Sequence, residues 1–163
     1  MWVLTLLLGT GRVDNVDFKL MLNARIDITR DLDGEAVVLA CFDLGEDEIA
    51  ASAQAVRVTA GERFRGASMS VDDVLELREL TALADELADQ QRAPGMRSLV
   101  MRPARLSAWR DALTHFADSR DAAEWSREDD RKALPLVREL LWPLADLCAD
   151  AMRAALIPPA RTA

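Results

Sequence analysis

The chain has 163 residues, half of them apolar and 29% charged, with a formal net charge of −8. That length and apolar content can bury a core and are too hydrophobic for a disordered chain. The acidic balance sets the molecule's overall field against phosphate, which weighs against a general nucleic-acid or membrane-surface binder.

The N-terminal "WVLTLLL" is apolar over only seven residues. It has no basic flank and no small-residue cleavage site, so it reads as a strand rather than a signal peptide or a membrane span. The cytoplasm is the expected compartment. "GTGRV" (9–13) follows it as a phosphate loop would, but it lacks the third glycine, the lysine and a helical pattern behind it.

The clearest strand pattern is "DFKLMLNARIDIT". Phe18, Leu20, Leu22, Ala24, Ile26 and Ile28 alternate with Lys19, Met21, Asn23, Arg25 and Asp27, which describes a sheet with one packed and one wetter face. The Asp-Gly of "RDLDGE" marks a hairpin turn. "AVVLACFDL" is nearly continuous in apolar residues and reads as a central strand. The acidic "DLGEDE", with Asp43, Glu46, Asp47 and Glu48, reads as a solvated turn rather than a cation site. "AQAVRVTA" and "ERFRGASMS" read as two further strands turned at Ala60-Gly61, although 46–55 fits a short helix as well.

Beyond residue 70 the apolar period changes from two to about 3.6. Ser70 with Asp73 is a capping-box pattern. It opens a helix whose Val71, Val74, Leu77, Leu80, Ala84 and Leu87 form a stripe suited to covering the sheet. Pro94-Gly95 ends that element, and "RSLVM" reads as a short edge strand. A second helix places Leu106, Trp109, Leu113 and Phe116 on one face. Ser126 caps a third, in which Leu134, Val137, Leu141, Leu144, Cys148, Ala151 and Ala155 recur at spacings of 3 and 4. Pro135 and Pro143 predict a break and a kink there.

The expected architecture is therefore α+β: an antiparallel meander of four to five strands followed by three to four helices packed on one face. It forms one domain, with a β-rich half over 1–70, a helical half over 71–157 and a frayed tail over 158–163.

No catalytic motif stands out. His115 is the single histidine and lies four residues after Asp111 on a helix, a spacing that allows a base oriented by a carboxylate. No G-x-S-x-G or Cys–His context accompanies it. Cys41 and Cys148 lie in apolar runs without metal-ligand spacing, and read as buried thiols. No cofactor or metal is expected. The reading as an enzyme, hydrolase-like through His115 and nearby carboxylates, is the weakest of three.

Two basic constellations remain. "QRAPGMRSLVMRPARLSAWR" (91–110) has five arginines and no acid, whereas the rest of the chain holds 15 basic and 28 acidic residues. Arg102, Arg105 and Arg110, with Trp109 available for stacking and His115 nearby, are the candidate binding residues. The competing reading is that these arginines pair with the acidic helices on either side. Arg outnumbers Lys 18 to 2, Ala is abundant and Tyr is absent, which matches the codon usage of a GC-rich bacterial genome and makes an arginine count weak evidence of a site. The second constellation is a basic sheet face of Lys19, Arg25, Arg57, Arg63 and Arg65, the alternative site. It would suit single-stranded nucleic acid, but no aromatic falls on that face for bases to stack on. Trp125 sits among charges, either as an interface anchor or as a staple before Ser126. The leading functional expectation is a non-enzymatic interaction or regulatory module, acting as a homo-oligomer and most simply a dimer, through exposed sheet edges and a half-apolar sheet face.

Overall fold

A computed structural model of the chain describes residues 22–65, 68–92, 94–121 and 127–156. It is α+β. The strands are β1 (Leu22–Arg30), β2 (Ala36–Leu44) and β3 (Arg97–Met101), and the helices are α1 (Glu46–Arg63), α2 (Val71–Gln91), α3 (Pro103–Asp121) and α4 (Glu128–Leu156). The strands form one antiparallel sheet in the order β1-β2-β3. "AVVLACFDL" is the central strand, as its apolar run predicts, and "RSLVM" supplies the edge beside it. The expected strand "WVLTLLL", the segment "GTGRV" and the first residues of the long alternating run lie outside the described residues.

The β1–β2 hairpin turns on Asp31 and Gly34. The Asp31 carboxylate accepts from the backbone N–H groups of Asp33 (3.0 Å) and Glu35 (2.9 Å). Gly34 takes φ +80, a conformation that glycine reaches without steric cost. At the other end of β1 the alternation fails. Asn23 adopts φ 54 and the register slips between Leu22 and Arg25. Ile26 is partly buried and packs against the core. Ile28 is largely exposed.

The largest departure from expectation is α1. Residues 53–60 and 62–70 were expected as strands, yet a single helix runs from Glu46 to Arg63, and Gly61 lies inside it instead of at a turn. The sheet among the described residues therefore has three strands, and the boundary between β-rich and helical parts falls near residue 45. The reason is burial. Ile49, Ala51, Ala53, Ala55 and Val56 are all buried, together with Ser52 and Thr59, so α1 has little polar face to set a 3.6-residue rhythm. Alanine favours the helix, and the acidic first turn of Glu46, Asp47 and Glu48 suits its positive end.

The other helices pack around α1. It contacts α2, α3 and α4, while α3 and α4 meet β2 and α4 also meets β1. Helix α2 carries the expected capping box, with the Ser70 hydroxyl accepting from the Asp73 N–H and the Asp73 carboxylate accepting from the Ser70 N–H. It packs chiefly on α1 rather than over the sheet. Leu80, Leu83, Ala84 and Leu87 are buried, whereas Val71 and Val74 at its start stay exposed. In α3 the expected face of Leu106, Trp109, Leu113 and Phe116 is fully buried. Helix α4 runs unbroken through Pro135 and Pro143. Each proline removes a backbone donor at a cost of roughly 3 kcal/mol. The buried seam of Ala133, Val137, Leu140, Leu144, Cys148 and Ala151 offsets that cost. The core draws on β2, β3 and all four helices, with the Phe42 ring stacked on Trp109 at 5.5 Å between centroids.

Candidate functional site

The structure separates the residues of the basic stretch. Arg105 of α3 reaches Glu86 of α2 at 2.9 Å. Arg92 pairs with Asp89 at 2.8 Å. Arg97 donates to the carbonyls of Gln90 (3.1 Å) and Met96 (2.9 Å). Arg110 turns to Asp111 on its own helix, at 2.8 Å, and that hydrogen bond raises its pKa further. Arg102 is exposed and has no ion partner among the described residues. The arginines thus share no cavity, and two of them join or close off the acidic α2. Trp109 is fully buried against Phe42, so its indole is core and offers no stacking surface to a ligand. Asp111 is engaged by Arg110. His115 is half-buried and makes no hydrogen bond among the described residues, so no carboxylate orients it there.

The alternative basic face is also dispersed. Arg25 stands on the outer face of the sheet, paired with Asp27 at 3.2 Å. Arg57 and Arg63 lie on α1, not on a strand, and Arg65 just beyond it. Arg63 bridges to Glu76 of α2 at 2.5 Å. Lys19 falls outside the described residues, as do Trp125, Ser126 and the 158–163 tail.

Three other places gather polar or exposed groups. On the outer sheet face the Asp43 carboxylate accepts from Asn23 Nδ2 (2.6 Å) and Ser98 Oγ (2.5 Å), and these bonds hold its pKa below the usual carboxylate value. Beside it the Cys41 thiol donates to Asp27 at 3.3 Å. Burial first, and then the Asp27 carboxylate, push that thiol's pKa up, away from a reactive thiolate. The Cys148 thiol is raised by burial too.

The second place is a knot at the junction of α1, α3 and α4. Asp130 is buried (2% exposed); it accepts a hydrogen bond from Gln54 Nε2 at 2.8 Å and forms an ion pair with Arg120, whose Nε lies 3.1 Å away. Arg120 also bonds Glu62 and lies over the Phe116 ring. The Gln54–Asp130 and Arg120–Glu62 hydrogen bonds and the Arg120–Asp130 ion pair tie the three helices together, while the buried Arg120 Nε–H is left without a hydrogen-bond acceptor. Next to it, an open groove of about 300 Å³ runs between α1 and α4 past Asp47, Gln54, Arg57, Asp129 and Lys132. Its charges are of both signs.

The third place is the outward side of α4. Trp142 is 78% exposed, Met152 53% and Leu156 81%, with Ala145 and Ala149 exposed between them. These five residues recur at spacings of 3 and 4, so they form one stripe about 21 Å long. It runs beside the seam that α4 buries in the core. Isolated exposed apolar residues need no explanation; here five of them share one face of a single helix. Sequence reasoning missed it, although the same 3,4 spacing that reveals the buried seam also reveals this second row.

No helix among the described residues is long and apolar enough to cross a membrane, and no group of three or more His, Cys, Asp or Glu residues is placed there to hold a metal. No protein-family model, curated protein or solved structure matches this chain.

Proposed function

We propose that this protein is a non-enzymatic interaction module that engages a protein partner through the outward stripe of α4. One observation carries the reading: Trp142, Met152 and Leu156 stand exposed in a single row on a helix whose other side is fixed in the core. A rigid helix presenting aromatic and methionine side chains is the composition that protein interfaces favour, and it matches the helix-in-groove or helix-pair mode of recognition. The partner is accordingly a protein helix or groove with an apolar row of its own.

The test is a photoreactive benzoylphenylalanine in place of Trp142 and, in a second variant, in place of exposed Arg78 on α2. Irradiation of cells expressing each variant is expected to give one discrete protein adduct from position 142 and none from position 78. The adduct should disappear when Met152→Glu is added. Equal labelling at the two positions, or no adduct at 142, would sink the reading.

A further inference from the structure

The charges beside the α4 row describe the partner that fits it. One flank of the row, at Leu141 and Cys148, is turned towards the core. The other flank is open and carries Glu139, Asp146, Asp150 and Arg153, all exposed. Arg153 bonds Asp150 at 2.7 Å, so those two charges offset one another. Glu139 and Asp146 have no ion partner among the described residues. Arg138, one turn before Trp142, is exposed and already engaged. The open flank therefore presents two unmatched carboxylates two helical turns apart, roughly 10 Å along the axis.

We infer that the row takes a basic amphipathic helix of another protein, with two Lys or Arg residues spaced two turns apart along one flank of its own apolar row. This rests on the α4 interaction surface proposed above and gives the chemistry of its partner. Helices packed side by side at a shallow angle keep a two-turn step in register, so one such pair of cations meets both carboxylates. Ala145 and Ala149 lie between Trp142 and Met152, a low stretch between two bulky side chains that admits large apolar residues of the incoming helix. The chain's net charge of −8 attracts a basic segment and speeds its approach. The same field, with the same two carboxylates, opposes an acidic helix or an anionic membrane. A second copy of this chain brings the same acidic excess to the contact and is a poorer occupant.

The test uses two synthetic fluorescein-labelled helical peptides of about 18 residues, each with a leucine–alanine row. One has lysine at two flanking positions two turns apart, and the other has glutamate there. Fluorescence anisotropy should show the full chain binding the lysine peptide about ten-fold more tightly than the glutamate peptide, since two attractive pairs replace two repulsive ones. High salt should narrow that difference. The double variant Glu139→Lys, Asp146→Lys should reverse the order. The control is Glu79→Lys with Asp85→Lys at exposed positions of α2, which changes the net charge equally and should keep the wild-type order. Met152→Glu should weaken binding of both peptides. All these positions are exposed, and circular dichroism of each variant should match the wild type.

No binding of the lysine peptide at about 100 μM, a preference that survives reversal on α4, or one lost equally by reversal on α2 would overturn the inference. Failure here is separable from failure of the broader reading. A discrete adduct at position 142 that is indifferent to the Glu139 and Asp146 substitutions keeps the surface and removes the basic helix. No adduct at 142 removes the surface and this partner with it.

Discussion

Helices α1 and α4 both line the core and place their apolar residues differently. Helix α1 is wrapped by α2, α3 and α4, and its apolar residues face inward in several directions: Ile49, Ala53, Ala55 and Val56 are all nearly inaccessible. Helix α4 sorts its apolar residues into two rows, one sealed in the core and one open to solvent. Burial over most of its circumference explains α1 as a structural axis, with the side of Asp47, Arg57 and Gly61 left exposed. Sorting into two rows, with only one used by the fold, leaves part of α4 without a structural explanation. The contrast separates residues that hold this protein together from those that remain for something else.

The most forceful way to break the comparison is truncation and enlargement on each helix. Ile49→Ala should lower stability by about 2–5 kcal/mol, since it leaves a cavity in a close-packed site. Ala55→Leu should cost about 1–3 kcal/mol through overpacking. Trp142→Ala removes a larger side chain and should move the stability of the monomer by no more than about 0.5 kcal/mol. Urea unfolding checks all three, at concentrations low enough that association does not contribute. Should Trp142→Ala prove as costly as Ile49→Ala, the outer row would belong to the core and the division drawn here would collapse.

The same contrast explains what could be read in the sequence. Helices α2 and α3 were legible because each has a polar side, and α2 also announces its start with Ser70 and Asp73. Helix α1 was not. Its "AVRVTA" mimics the alternation of a strand, and "AG" at 60–61 mimics a turn. Its N-cap is Gly45, which makes no side-chain bond to the helix, so no start signal is written. In β1 the alternation was visible, but the bulge at Asn23 was not, because asparagine at φ 54 looks like any polar strand residue until the register is known. The basic stretch was read as a clasp or a site. Arg92–Asp89 is a local pair three residues apart, whereas Arg105–Glu86 joins α3 to α2 and needed the tertiary fold to be seen. The outer row of α4 was present in the spacing from Trp142 to Leu156 and was hidden by Pro143, whose expected kink would have turned the helix within the row.

A smaller effect should sharpen the comparison where the two helices are joined. Asp130 near the start of α4 accepts from Gln54 of α1 and contacts Arg120 of α3. Asp130→Ala leaves a guanidinium that is 13% exposed with Glu62 as its remaining partner, and an unmatched Gln54 amide. The expected loss is about 3 kcal/mol. Asp130→Asn should recover part of it, because an amide can still accept from Gln54. Thermal unfolding of the two variants gives the order. If alanine and asparagine were indistinguishable, the knot would contribute through packing alone, and α1 and α4 would be held together only by their apolar contacts.

The smallest effect concerns how α1 begins. Helix α2 has a complete capping box, while α1 has glycine at the N-cap and Glu48 at the third helical position. Gly45→Ser would therefore create the pattern that the sequence lacks, a hydroxyl for the Glu48 N–H and a carboxylate reaching back. The backbone there is extended, at φ −75 and ψ 171, so serine fits without strain. A Cβ at position 45 would collide with the Glu48 carboxylate. That group is the far end of a flexible side chain in a first turn open to solvent, and it can swing towards the cap. The gain expected from the new hydrogen bond and the stiffer unfolded chain is about 0.5 kcal/mol. It would appear as a rise in the urea midpoint with an unchanged slope. A loss of stability instead would mean that the Glu48 carboxylate is held where it is, and that α1 depends on its first turn as well as on the three helices around it.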